Sequence, residues 1–268
     1  MIQFCHAKAF GDCDVDAPNL HLVTQVTGQP EKTAYQGAEK ARIDPNLCPG
    51  WGLCRDHCRF HASEHAADGT CQISPMACEG CGVCVQVCPA GAVALEPDVS
   101  GHLELYRGEP TFSTARLRMG RGNSGRLVSE VKKKLFKAAP EGELIVIDGA
   151  PGIGCPVISS VSGVDLALLV AEPSLSGRSD LARLLHTAGT LRVPVAVCVN
   201  KWDLAPDQTE ALEDFCRSQS VPLVGRIPYD PAAPAAVNAG KSLAEMDCPA
   251  SRALQEVCRQ TMELLEIQ

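Results

Sequence analysis

Apolar positions in the second half of the chain fall into short continuous runs separated by polar, helix-spaced stretches. The runs are Leu144-Ile145-Val146-Ile147, Ala167-Leu168-Leu169-Val170-Ala171, Val193 to Val199 and Leu223 to Ile227. Runs of this length predict strands buried on both faces of a parallel sheet. Between them, Asp180 to Ala188, Thr209 to Ser218 and the tail from Ser251 to Glu266 read as helices. Strands alternating with helices predict βαβ units and a sheet covered on both sides. The basic run Arg126 to Lys137 carries Leu127, Val128, Val131 and Leu135 at helical spacing, which predicts a helix with a solvated cationic face. Residues 24–45 are polar and read as a connector with strand pieces.

Residues 46–98 break this rhythm with a cysteine pattern. Cys78-x2-Cys81-x2-Cys84-x3-Cys88-Pro89 is the spacing in which three thiolates hold one iron–sulfur cluster and the fourth reaches to a second. Gly80 and Gly82 permit the tight turns, and Pro89 ends the loop by fixing φ and removing a donor. A zinc site favours two separated CxxC pairs or Cys/His mixtures, and a disulfide cluster favours a secreted chain. The unit recurs once: Cys48, Cys54 and Cys58 stand 30 positions ahead of Cys78, Cys84 and Cys88. Crossing over of the last cysteine of each half gives one complete set, Cys78, Cys81, Cys84 and Cys58. The other set, Cys48, Cys54 and Cys88, lacks a ligand, because Trp51 stands where the second half has Cys81. A three-iron cluster, a four-iron cluster with an outside ligand, and no second cluster all remain open. A three-iron signal or substoichiometric iron is the expected result. Cys71 and His57 are candidate substitutes, and Trp51 is a candidate apolar wall. His57, His61 and His65 fall at helical spacing and are expected to form a partly exposed stripe beside the cluster loop.

Composition sets outer limits. The net charge of -8 argues against a nucleic-acid surface, which rests on clustered Lys and Arg. Apolar content is ordinary at 45%, and no apolar stretch reaches the roughly 18 residues of a membrane span. Fifteen cysteines without a secretion signal fit metal chemistry in a reducing cytoplasm. Near the start, Asp12-Cys13-Asp14-Val15-Asp16-Ala17-Pro18-Asn19 reads as an acidic loop after a short strand. Acidic groups at a strand's C-terminal edge are where α/β folds place ligand and magnesium contacts.

Five segments in order resemble the MinD/ParA-type P-loop ATPases that carry a ferredoxin insert. They are Asp12 to Asn19, Asp148-Gly149-Ala150-Pro151-Gly152-Ile153-Gly154-Cys155-Pro156-Val157, Glu172-Pro173-Ser174, Val199-Asn200-Lys201-Trp202-Asp203 and Gly225 to Asp230. The resemblance implies an α/β P-loop NTPase-like, Rossmann-like domain from residues 1–45 and 99–268 around a two-repeat ferredoxin-like α+β insert at 46–98. It implies that Asp14 and Asp148 contact magnesium or its waters, that Asn200 reads adenine and that Pro228 lies at the nucleotide. Ala150 stands where the family commonly has proline.

The family's opening strand and phosphate loop are not found. Only 11 residues precede Asp12, so the domain reads as truncated at its N-terminus. Gly120 to Leu127 has the glycine spacing of GxxxxGK[ST] but Arg126 and Leu127 replace its ending; Gly240-Lys241-Ser242 has the ending without the first glycine. Loss of the loop removes the N–H cradle and lysine that hold phosphates, and loss of its central strand exposes sheet edges. The expected function is therefore iron–sulfur binding linked to electron transfer, with ATP hydrolysis doubtful. The alternatives are a complete ATPase whose start is misassigned, and a cluster carrier or docking subunit. A redox partner, a homologous ATPase subunit or a second copy are the expected partners.

Overall fold

The computed structural model describes residues 1–24 and 26–266. Among the described residues the strands, in chain order, are β1 (Ala9–Asp12), β2 (Glu31–Gln36), β3 (Lys40–Ile43), β4 (Ser63–His65), β5 (Cys71–Ile73), β6 (Val93–Glu96), β7 (Val99–Tyr106), β8 (Thr111–Leu117), β9 (Ile145–Asp148), β10 (Ala167–Ala171), β11 (Val195–Asn200) and β12 (Leu223–Ile227). The helices are α1 (Leu53–Asp56), α2 (Val83–Gln86), α3 (Ser124–Ala138), α4 (Cys155–Val161), α5 (Leu175–Leu191), α6 (Pro206–Ser218), α7 (Ala232–Asn238) and α8 (Pro249–Glu266).

Strand pairing divides the α/β body into two blocks. One sheet has the order β2-β7-β8-β1-β9, and the other has β10-β11-β12. β1 runs parallel to both β8 and β9, and β10, β11 and β12 are parallel throughout. No ladder joins β9 to β10 among the described residues, so both are edge strands. This corrects the expectation that Leu144 to Ile147 and Ala167 to Ala171 are buried on both faces. Ile145, Val146 and Ile147 are only half-buried, and Val170 is 60% exposed. An edge strand has no neighbour on one side to cover it.

Helices seat the sheets as the apolar spacing predicts. Leu127, Val128 and Val131 of α3 pack on Cys13, Val15, Leu103, Ala115 and Leu117. A second core places Leu181, Leu212 and Cys216 against Val197 and Val199, and a third places Val257 against Ala196, Cys198 and Val224. The basic run of α3 departs from its expected form at one position. Lys132 is buried, and its Nζ donates to the carbonyls of Ser159 (3.1 Å), Ser160 (2.8 Å) and Ser162 (2.5 Å). It supplies donors to carbonyls at the C-terminal end of α4, where no intrahelical partner exists. Burial lowers the pKa of this amine.

The insert forms its own small unit. β3 pairs antiparallel with β6, and β4 with β5. β3 lies ahead of residue 46, so the strand pair at the base of the insert begins at Lys40. A local core of Ala41, Ala62, Cys78 and Val93 holds the unit together. The three histidines do not share a helix. α1 ends at Asp56, His61 adopts φ 51°, and His65 lies in β4. The cluster loops turn too tightly for a longer helix: Gly50, Gly52, Gly80 and Gly82 all have φ between 69° and 78°.

The loop between β8 and α3 ties the insert to the body. The Arg121 fork meets Asp98, Nε to Oδ2 at 2.9 Å and Nη2 to Oδ1 at 3.0 Å, with both side chains mostly buried. Its Nη1 also donates to the Pro75 carbonyl at 2.5 Å. The glycine-rich string Gly120 to Leu127 thus does lie between a strand and a helix, but its arginine grips the insert. A planar guanidinium suits this bidentate contact in a way an ammonium does not. Arg121→Ala is expected to cost about 2 kcal/mol and to raise amide exchange across residues 74–98, with Arg121→Lys recovering less than half. Exchange rates unchanged in Arg121→Ala would show that the clamp is not what holds the insert.

Candidate functional site

Two cysteine-lined cavities occupy the insert. The first is bounded by Cys58, Cys78, Cys81 and Cys84, with Ala41, Phe60, Ile73 and Val83 as apolar wall. The second is bounded by Cys48, Cys54, Cys71 and Cys88, with Ile43, Trp51, Leu53 and Val93. The last cysteine of each half therefore lines the other half's cavity. Cys54 borders both. Trp51 lines the second cavity but is 61% exposed, so it forms a lid and leaves the interior open.

The two cavities obey one local two-fold, visible as a 30-residue offset. The Gly50 Cα backs onto the Gly69 carbonyl, and the Gly80 Cα backs onto that of Glu39; a Cβ at either glycine would stand 2.1 Å from the oxygen. The Cys71 N–H donates to Cys48 Sγ at 3.4 Å, and the Ala41 N–H donates to Cys78 Sγ at 3.4 Å. Gly80 N–H adds a second bond to Cys78 Sγ at 3.4 Å. Backbone N–H groups aimed at sulfur stabilise thiolate charge and tune a cluster. Lys40 is buried beside the first cavity with its Nζ on the Cys78 carbonyl, which adds a positive charge near those sulfurs.

These residues fit an iron–sulfur cluster. Five cysteines line the first cavity and four the second, with Cys54 common to both. The cysteines lie around the cavities, and among the described residues no three His, Cys, Asp or Glu side chains gather tightly enough to hold a single ion. Of the fifteen cysteines, only Cys5 and Cys258 have sulfurs in bonding contact. His57 does not line the second cavity; its Nδ1 lies 2.9 Å from the Leu53 carbonyl.

The residues that the family resemblance assigns to a nucleotide lie at the C-terminal ends of the parallel strands, on both sides of the break. On one side, Asp12 and Asp148 are register partners across β1 and β9. Asp12 is buried and accepts from the N–H groups of Asp14, Asn19 and Leu20, each at 3.0 Å. It shapes the acidic loop, a role that its place in the sequence does not announce. Asp148 is open on one side but crowded on the others. Desolvation there, with the charges of Asp12 and Asp14, pushes its carboxyl up to about 6. Asp14 and Asp148 thus come together, but they do not form a closed cation cage. On the far side, Asn200 ends β11 opposite Ile227, with Pro228 next in the chain. Lys201 pairs with Glu172 at 2.6 Å, and the Asp203 carboxylate accepts from the Tyr229 N–H at 2.7 Å.

The raised Asp148 pKa gives a signed expectation. Its contribution to stability is full below about pH 4 and is lost as pH rises through about 6. Asp148→Asn is expected to stabilise the chain at pH 7 by about 1 kcal/mol, discounted for the open side, and to change little at pH 4. Chemical denaturation in magnesium-free buffer at both pH values measures this; equal effects at the two pH values would contradict it.

Known proteins resemble both parts of the chain, the insert in sequence and the body in fold. Residues 71–94 match the family described as 4Fe-4S binding domain. The chain is 36% identical over 195 residues to the uncharacterized protein MJ0578 of Methanocaldococcus jannaschii, covering 71% of this chain and 66% of that one. The chain thus spans just under two thirds of that relative's length. It is 37% identical over 51 residues to a subunit of the Na(+)-translocating ferredoxin:NAD(+) oxidoreductase complex of Acetobacterium woodii, 19% of this chain and 15% of that one. It is 23% identical over 140 residues to the cytosolic Fe-S cluster assembly factor Nubp1 homolog of Drosophila pseudoobscura pseudoobscura, 45% of each chain. Among solved structures, the Pyrococcus furiosus cell division ATPase MinD superposes with a TM-score of 0.53 at 17% identity, covering 97% of this chain and 87% of that one. The Cyanothece McdA(D38A)-ATP complex gives a TM-score of 0.54 at 16% identity, covering 98% and 87%.

The fold is that of the MinD/ParA-type P-loop ATPases. Within it this chain carries a ferredoxin-type insert with a 4Fe-4S binding domain. No helix among the described residues is long and apolar enough to cross a membrane.

Proposed function

We propose that this chain binds two iron–sulfur clusters in its insert and uses them in electron transfer, with the MinD-like body as the nucleotide- or partner-responsive part. Cys58, Cys78, Cys81 and Cys84 hold the first cluster; Cys48, Cys54 and Cys88 contribute to the second. The observation that carries this reading is the pair of cysteine-walled cavities related by the 30-residue offset. Likeness to a ferredoxin:NAD(+) oxidoreductase subunit over the cysteine-rich stretch supports an electron-transfer role. The clusters supply one-electron chemistry when bound; the chain's own residues hold them, shield them and set their electrostatics.

On this reading the chain alone hydrolyses ATP poorly. The acidic residues and Asn200 stand on opposite sides of a break where no ladder joins β9 to β10 among the described residues. Positioning of phosphates by backbone N–H groups is most of phosphoryl-transfer catalysis. A phosphate-binding strand from beyond the described residues, including one from a homologous subunit or a second copy, would complete the site. The experiment is anaerobic reconstitution followed by stoichiometric reduction and reoxidation, with ATP binding measured in parallel. Reversible bleaching and weak ATP binding are expected. Micromolar ATP affinity would overturn the impaired-hydrolysis part, and absence of reversible redox would overturn electron transfer.

A second reading, a cluster carrier, is favoured by the likeness to an Fe-S cluster assembly factor and by the exposure of Cys81. Transfer of iron and sulfide to an apo-ferredoxin at a rate above the free-iron control would favour it over electron transfer.

A further inference from the structure

We propose that Cys71 is the fourth ligand of the second cluster and replaces the thiolate lost at Trp51. This rests on reading the insert as an iron–sulfur domain. The local two-fold carries the argument. Under the 30-residue offset, Cys71 on β5 is the counterpart of Ala41 on β3, and Trp51 is the counterpart of Cys81. Each half therefore has two places from which a thiol can reach its cavity: the cluster loop and the flanking strand. The first cavity has a thiol in the loop, Cys81, and a methyl on the strand, Ala41. In the second the assignment is reversed, with Trp51 in the loop and Cys71 on the strand.

The strand position is close enough in both halves. Ala41 and Cys71 line their cavities and donate their N–H groups to Cys78 and Cys48 respectively, each at 3.4 Å. Cys71 is only 4% exposed, so its thiol faces inward and not into solvent. Its cross-strand partner has changed with it. Ala41 faces Leu95, whereas Cys71 faces His65, whose Nδ1 lies 3.8 Å from the Cys71 sulfur. An imidazole beside a metal thiolate can donate to the sulfur and orient it, and such neighbours accompany metal ligands as a rule. An aliphatic pair has thus been exchanged for a thiol and a polar partner in the one half that lost a loop thiol. Metal binding takes the thiol as its thiolate, so Cys71 gives up its proton when the cluster loads. The exposed Trp51 then covers the mouth left by the absent loop ligand.

The test compares the anaerobically reconstituted chain with Cys71→Ala, Cys71→Ser and Cys71→Ala/Trp51→Cys by iron and sulfide content, electron paramagnetic resonance and Mössbauer spectroscopy. The unmodified chain is expected to hold about eight iron atoms in two four-iron clusters. Cys71→Ala is expected to fall to about seven, with a three-iron signal, or to about four. Cys71→Ser is expected to keep iron with altered spectra, and Trp51→Cys is expected to restore the four-iron cluster lost in Cys71→Ala. The proposal is overturned if Cys71→Ala keeps eight irons with unchanged spectra, or if the unmodified chain already shows a three-iron signal. The first cluster is the internal control. Its four irons in every variant report a folded insert, and their absence from every preparation, the unmodified chain included, would sink the iron–sulfur reading itself.

Discussion

Alanine at Gly80 is expected to abolish loading of the first cavity, while alanine at Gly91 leaves it intact. Both glycines have left-handed backbones, with φ of 69° and 62°, so both substitutions carry the same conformational penalty of about 1 kcal/mol. They differ in what a Cβ would meet. At Gly91 nothing lies within 4 Å, whereas at Gly80 the Glu39 carbonyl oxygen would stand 2.1 Å away. That contact sets the new Cβ against a backbone carbonyl, so relief requires the cluster loop to move away from the residue that leads into β3. The Gly80 N–H bond to Cys78 Sγ and the placement of Cys78 and Cys81 would go with it. Iron content after reconstitution is expected to drop by about four atoms per chain in Gly80→Ala and by none in Gly91→Ala. Equal loading of the two variants would mean that the loop's approach to β3 does not position the thiols.

The second large effect is expected in the α/β body. Lys132→Met keeps the length of the side chain but removes the donors for three carbonyls at the end of α4. Buried acceptors left without partners cost about 1 kcal/mol or more each, partly offset because a charge no longer has to be desolvated. A net loss of about 2–3 kcal/mol is expected, read as a lower urea midpoint with an unchanged slope. Lys133→Met, on the solvent side of the same helix, is expected to change the midpoint by under about 0.5 kcal/mol. Similar midpoints for the two variants would remove Lys132 from the account of how α4 is held against α3.

The cluster region was legible in the sequence because its information is local. Iron–sulfur ligation fixes cysteine spacing within a dozen residues, and the repeat then states which thiols belong together. Crossing of Cys58 and Cys88 between halves is an expectation from the same pattern; in the structure Cys58 lines the cavity of the second half and Cys88 that of the first. The alternation of strands and helices was equally readable, since burial of a parallel sheet leaves its mark in each run. What could not be read was long-range. The break between β9 and β10 depends on strand order, which no single run encodes; the half-burial of Ile145 to Ile147 appears only once the neighbours are known. Cys71 faces His65 through strand pairing, so its relation to Trp51 needs the two-fold as well as the sequence. The histidine spacing misled because the chain leaves the helix at His57, turns left-handed at His61 and is extended at His65 in β4. The burial of Lys132 does leave a mark in the sequence: it lies four residues after Val128 and three before Leu135, on the apolar stripe of α3.

Function is positioned by these same contacts. The Arg121 clamp joins the insert to the loop that leads into α3, and α3 in turn packs on Cys13 and Val15 in the segment that follows β1. The acidic edge and the cysteine cavities are therefore parts of one packed path.

The most direct measurement is Mössbauer spectroscopy of the chain reconstituted without oxygen using isotopically enriched iron. Two cluster populations of comparable area are expected, one of them altered selectively by substitution at Cys84 and the other at Cys48. A spectrum of mononuclear iron alone, or a protein that takes up zinc in place of iron and sulfide, would contradict this expectation.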